Sequence, residues 1–129
     1  MRVLNINTEQ FVSFALRNVI QKHYKHAEVI SCCDYEEVLR LTTANNFDVI
    51  FLDMSIKTMI SQAMMTSFAK TQQNAKVLMF YDEDTDYDLL KYMSLGVAGF
   101  LSKSFSEKDL LQAVNLVKAG QFLSVQGQA

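Results

Sequence analysis

An acid and an ammonium stand at the ends of two stretches that read as strands. Asp53 closes the run from Phe47 to Asp53 (FDVIFLD), a buried-strand pattern that ends in a carboxylate. Gly99 to Lys103 (GFLSK) reads as a short strand that delivers Lys103. In an open α/β sheet, ligands and chemistry gather just beyond the carboxyl ends of the strands. A strand-end Asp and a strand-end Lys at one sheet edge therefore suggest an anionic ligand, phosphate above all.

For the two to meet, the rest of the chain must build such a sheet. Arg2 to Ile6 reads as a first strand and Phe11 to Tyr24 as a helix, with Val12, Ala15, Leu16 and Val19 on one face and Thr8 as its cap. Ala27 to Ser31 is a second strand. Asp34 opens another helix, with Glu37 three residues on as in a capping box and Val38, Leu39 and Leu41 following. The third strand is Phe47 to Leu52. A helix from about Met59 to Lys70, carried by Met64, Met65 and Phe68, precedes a fourth strand at Lys76 to Phe80.

After an acidic loop, Asp84 to Leu95 is helical and stops at Gly96. Gly99 to Leu101 is the fifth strand. The last helix, Ser106 to Ala119, has Ser106 as cap with Asp109 three residues on, core-facing Leu110, Ala113, Val114 and Val117, and Gly120 as its stop. Alternating strands and helices at these spacings predict a doubly wound α/β domain, a five-stranded parallel sheet covered on both faces.

Composition agrees. The chain has 129 residues, half of them hydrophobic, enough for one domain that buries roughly 65–70% of its unfolded surface. Twelve basic and 14 acidic side chains leave a net charge of −2, so the dense positive surface that attracts nucleic acid is missing. No apolar run suits a signal peptide or a membrane span, and a cytoplasmic location is expected. Cys32 and Cys33 are adjacent, which matches neither metal-ligand spacing nor a disulfide framework. They read as ordinary small residues at a strand end, with redox sensing as the sharper alternative.

The anchors FDVIFLD (47–53), LGVAGFLSK (95–103), SEKDLL (106–111) and the closing VKAG (117–120), in this order and spacing, make residues 1 to 120 resemble a response-regulator receiver domain of the NarL/LuxR type. The resemblance implies a flavodoxin/CheY-like fold. It implies that Asp53 stands where a phosphoryl group is accepted from a histidine kinase or a small phosphodonor, and that Lys103 stands where an ammonium contacts the phosphoryl oxygens. Phe100 takes the position of the family's switch aromatic.

Several positions depart from the family's pattern. Two acids normally follow strand one; here Asn7 and Thr8 stand there, followed by Glu9. Those acids hold Mg²⁺, a hard ion that wants anionic oxygens in near-octahedral array, so weak or absent Mg²⁺ binding is expected and no cofactor is assigned. Tyr81 replaces the Ser or Thr whose hydroxyl bonds the phosphoryl group, and its bulk either fills the phosphate pocket or points away. Lys57 and Ser61 replace a Pro and a Gly, and Ser104 replaces the Pro after the Lys. Asp82, Glu83, Asp84, Asp86 and Asp88 read either as a solvated loop and helix start or as a substitute metal site. With two acids gone, Lys103 and Asp53 are expected to form an ion pair that locks one conformation.

The resulting expectation is a degenerate receiver that is not an enzyme. It serves signal transduction and transcription control as a regulatory and dimerisation module, independent of Mg²⁺-dependent phosphorylation. Residues 1–120 form the receiver-like domain and 121–129 the start of a linker. The implied partners are a second copy of the chain, a histidine kinase, and DNA only through a C-terminal helix-turn-helix domain absent from this chain. No membrane is involved. Phe14 and Leu116 fall off the core stripes of the first and last helices and form a candidate dimer patch, or else are singly exposed apolar residues. One alternative is a phosphoacceptor at Asp53 that uses a non-standard metal site built from Glu9 or the acid cluster. Another is a nucleotide-binding flavodoxin-like domain, which would want a Gly-rich loop where Asn7 to Gln10 stand.

Overall fold

Strand β3 (Val49–Asp53) is buried along its whole length, because parallel sheets of this kind are covered on both sides. The computed structural model describes residues 1–56, 62–84 and 88–121. In it, β1 (Arg2–Ile6), α1 (Gln10–His23), β2 (Glu28–Cys32), α2 (Tyr35–Ala44), β3, α3 (Gln62–Thr71), β4 (Lys76–Tyr81), α4 (Leu89–Ser94), β5 (Val97–Ser102) and α5 (Glu107–Lys118) follow one another. All pairings are parallel and the strand order is β2-β1-β3-β4-β5. The chain changes winding direction between β1 and β3, and all strand carboxyl ends share one edge. The expected doubly wound sheet is present.

Alternation along the strands sorts the core into two layers. Val3, Val49, Phe51, Leu78, Phe80 and Leu101 face α1 and α5, where they meet Leu16, Ile20, Leu110 and Val114. Leu4, Ile6, Ile50, Leu52, Met79 and Phe100 face α2 and α3, where they meet Val38, Met64, Met65 and Phe68. Phe51 and Phe80 stack across neighbouring strands with centroids 5.2 Å apart.

The structure moves several expected boundaries. The Ala27 amide donates to the Tyr24 carbonyl in a turn, so the ladder begins at Glu28 and β2 runs through Cys32. β3 starts at Val49 because the Phe47 amide is taken by the Gln72 side chain, and Asp53 is its last residue instead of following it. β4 extends to Tyr81. β5 begins at Val97, immediately after Gly96, and a bulge leaves Ala98 without a register partner. The helix expected from Asp84 starts only at Leu89, where the Asp88 carboxylate accepts from the Lys91 amide; residues 85–87 lie outside the described residues. The expected start of α3 near Met59 likewise lies outside them.

Caps and stripes show the same mix. Ser106 and Asp109 form the expected capping box of α5. Asp34 caps α2 through the Glu37 amide, but the Glu37 carboxylate turns to Arg40 at 4.0 Å instead of returning to the cap. Thr8 does not cap α1: Glu9 takes that position, and Asn7 Oδ1 accepts from its amide at 2.7 Å. The buried stripe of α1 is Val12, Leu16 and Ile20, while Ala15 is exposed and Val19 half-buried. Gly96 and Gly120 both end helices with positive φ, the conformation that favours glycine there.

Gln72 staples the loop before β3. Buried after α3, its Oε1 accepts from the Phe47 amide at 2.7 Å, and its Nε2 donates to the Thr42 and Asn45 carbonyls at 2.8 and 2.6 Å. Removing it leaves three backbone groups without partners in a dry place. Gln72→Ala is expected to destabilise the fold by about 2–4 kcal/mol in urea denaturation; a loss under about 0.5 kcal/mol would mean that the loop re-pairs without it.

Candidate functional site

Parallel pairing carries four chain segments to one edge and continues past the strands. Tyr81 pairs with Ser102, and the Lys103 amide then donates to the Tyr81 carbonyl at 3.0 Å. This brings Lys103 beside the end of β3, as the sequence led us to expect. Its Nζ lies 2.8 Å from Asp53 Oδ1, 2.7 Å from Glu9 Oε1 and 3.2 Å from Asp82 Oδ2. Only 8% of the Lys103 side chain is exposed and none of Asp53. The expected ion pair is therefore present, within a wider cluster.

The two oxygens of Asp53 differ sharply. Oδ1 accepts from the Ser55 amide at 2.9 Å and the Ser55 hydroxyl at 2.8 Å in addition to the ammonium. Oδ2 is buried and has no hydrogen-bond partner among the described residues. Ser55 was not singled out in the sequence, although an Asp followed two residues later by Ser is a recognisable turn signal. Burial alone would pull the Lys103 pKa down, but hydrogen bonds to Asp53, Glu9 and Asp82 and the charge of Asp53 outweigh it. The net result is an ammonium held above its usual range.

Asn7 and Thr8 do not join the cluster as oxygen acceptors for the ammonium. Asn7 spends its oxygen on the Glu9 amide, and its buried Nδ2 lacks a partner among the described residues. Thr8 is exposed. The same Asn7 contact stands at the start of α1, where Glu9 reaches the Lys103 ammonium. Asp82, read with its neighbours as an acid cluster, also reaches the ammonium. Glu83 instead accepts from the Ser102 and Ser104 hydroxyls at 2.9 and 3.2 Å, and Ser104 closes the turn by donating its amide to Ser102 Oγ at 3.1 Å.

Tyr81 is buried in the α2/α3-facing layer with Ile6, Leu52, Met54 and Phe100. Phe100 is fully buried, with its ring 6.5 Å from that of Tyr92 at 59°. Cys32 ends β2 in the core, and its thiol pKa is pushed up to about 12 by burial first and then by Glu37 and Asp34, which makes it a poor nucleophile. Cys33 is exposed. Lys57, Ser61 and Asp86 lie outside the described residues.

This donor set does not match a hard divalent ion. The two positions after β1 offer no anionic oxygen, and the three nearby carboxylates are spread around an ammonium. Among the described residues, no three acidic, His or Cys side chains stand close enough to hold a metal ion as they are.

A family model for the response regulator receiver domain matches residues 3–115. Among curated proteins, the chain is similar to the response regulator UvrY of Escherichia coli O6:H1, with 25% identity over 123 residues, covering 94% of this chain and 56% of the relative. UvrY of Escherichia coli K12 is 24% identical over the same length. The chain thus spans a little over half the length of these relatives. Among solved structures, a LuxR family DNA-binding response regulator from Silicibacter pomeroyi superposes with a TM-score of 0.77 at 18% identity, covering 100% of this chain and 99% of that one. The isolated receiver domain of RcsB from Salmonella enterica serovar Typhimurium, in the apo form, gives 0.76 at 14% identity, covering 98% and 93%. These structural likenesses speak for the fold. No described helix is long and apolar enough to cross a membrane. With the family match spanning β1 to most of α5 and the acid and ammonium meeting at the expected edge, the chain belongs to the response regulator receiver domain family of two-component signalling.

Proposed function

We propose that this receiver is a non-enzymatic regulatory and dimerisation module, held in one conformation by its own ion cluster and independent of Mg²⁺-dependent phosphorylation. The observation that carries the reading is the Lys103 ammonium, bonded at once to Asp53, Glu9 and Asp82. It neutralises the acceptor carboxylate before any phosphodonor arrives. The burial of Tyr81 in the core supports the same reading, because its bulk stands where the family has a small hydroxyl side chain. In this proposal the protein is cytoplasmic and controls transcription through a DNA-binding domain beyond residue 120, with residues 121–129 as the start of the linker.

Dimerisation would use α1 and α5, which lie side by side and are joined by the Tyr24 hydroxyl donating to Asn115 Oδ1 at 2.8 Å. Phe11 is 91% exposed and Phe14 66%, a pair of large rings three residues apart on α1, and Leu116 on α5 is half-buried. Two such faces are self-complementary under a twofold axis.

The second reading is a phosphoacceptor served by a histidine kinase, and it is favoured by one feature, Oδ2 of Asp53, which is buried and has no hydrogen-bond partner among the described residues. That oxygen would form the new P–O bond while the donor's leaving group departs with its electron pair. Intact-protein mass after incubation with acetyl phosphate separates the readings. No adduct is expected with or without Mg²⁺; an adduct that disappears in Asp53→Asn would establish the phosphoacceptor. For the dimer face, Phe14→Glu is expected to convert a sedimenting dimer to monomer without loss of helical circular dichroism. An unchanged sedimentation coefficient would remove this face from consideration.

A further inference from the structure

We infer that the cleft beside the start of α1 binds a small organic carboxylate, held by the Asn7 side-chain amide, the first-turn backbone amides of α1 and the Arg17 guanidinium. The inference stands apart from the reading above. It draws on the β1–β2 side of the edge, and Lys103, Asp53 and Asp82 do not line this cleft.

The cleft has a volume of about 400 Å³, within the range of sites that take small organic ligands. It lies between α1 and the carboxyl ends of β1 and β2. Gln10, Ser13, Phe14 and Arg17 recur along one stripe of the helix, and Ser31 and Cys33 come from the end of β2.

Asn7, in the lining, is the group that calls for a ligand. It is only 6% exposed, its Oδ1 is taken by the Glu9 amide at 2.7 Å, and its Nδ2 has no partner among the described residues. A buried N–H left without an acceptor is costly, so a ligand oxygen there is favoured.

The groups around it are donors as well. Glu9 is the N-cap of α1 but makes no side-chain cap bond, and the first turn carries no acid, so the amides that a helix cannot satisfy internally are left for an external acceptor. Ser13 and Ser31 each accept from Nδ2 of the fully buried Asn5, at 2.9 and 3.3 Å, which leaves their hydroxyl protons to donate. Arg17 is exposed and forms no ion pair among the described residues. Glu9, the one acid among the described lining residues, is already paired with Lys103 at 2.7 Å. A single unpaired guanidinium beside the Phe14 ring suits one ligand charge on a short carbon body better than a doubly charged phosphate.

The test is a nuclear magnetic resonance titration of the isotope-labelled chain with benzoate, its neutral isostere benzamide and inorganic phosphate, all in a metal chelator. Benzoate is expected to shift the Asn7 side-chain amide and the backbone amides of Gln10, Phe11 and Val12 along a saturating curve, with a Kd of about 1 mM or below. Benzamide is expected to bind at least about tenfold more weakly, and Arg17→Gln to weaken benzoate by at least about fivefold. Asn7→Asp keeps the oxygen that meets the Glu9 amide and replaces the donor with a charge, and it is expected to abolish benzoate binding. Should that variant unfold, Arg17→Gln, at an exposed position, decides alone. Shifts that do not saturate, benzamide binding as tight as benzoate, or undiminished binding by Arg17→Gln overturns the proposal. Phosphate binding as tight as benzoate overturns the assignment to an organic ligand.

Discussion

One ammonium buried among carboxylates organises the carboxyl edge of this sheet. Lys103 touches side chains from the start of α1, the end of β3 and the end of β4, and its own backbone extends the β4–β5 ladder. Asp53 is fully buried, and an isolated carboxylate there would be costly to desolvate. Its position is tenable because the ammonium and both donors of Ser55 meet Oδ1. Buried ion pairs add little net stability, since desolvation offsets much of the Coulomb attraction, but losing one partner costs about 3–5 kcal/mol. The cluster therefore specifies an arrangement of the edge more than it strengthens the fold.

The surrounding substitutions make sense around that constraint. Asn7, neutral where the family has an acid, spends its oxygen on the Glu9 amide and so directs Glu9 toward Lys103. A carboxylate is thus supplied from two residues further along the chain. Ser104 joins Ser102 and Glu83 in a hydroxyl–carboxylate network that shapes the turn after Lys103. Tyr81 fills space in the α2/α3-facing core. Acid loss, aromatic bulk and serine turn together describe an edge built around an internal charge.

Most of the architecture was legible in the sequence because it depends on local pattern. The apolar run of β3, the capping box of Ser106 and Asp109 and the glycine stops at Gly96 and Gly120 each arise from a few neighbouring residues. Boundaries were less legible where distant partners set them. β3 begins at Val49 because Gln72, far along the chain, takes the Phe47 amide, and Asp88 rather than Asp84 starts α4 through its own side-chain bond. On α1, the choice of Ile20 over Ala15 for the buried stripe follows from how the helix rolls on the sheet, which periodicity leaves open by one position.

At the site, residue types and strand ends were enough to bring Asp53 and Lys103 together, since a parallel sheet delivers every strand terminus to one edge. Sequence also flagged the missing acids at Asn7 and Thr8. It did not determine that Glu9 and Asp82 would share the ammonium, that Ser55 would close on Asp53, or that one oxygen of Asp53 would lack a partner among the described residues. Those outcomes depend on where flexible side chains from four separate segments end within hydrogen-bonding reach of a single point. Periodicity and spacing specify backbone placement along the chain, whereas that convergence exists only once the sheet has formed and brought the four segments together.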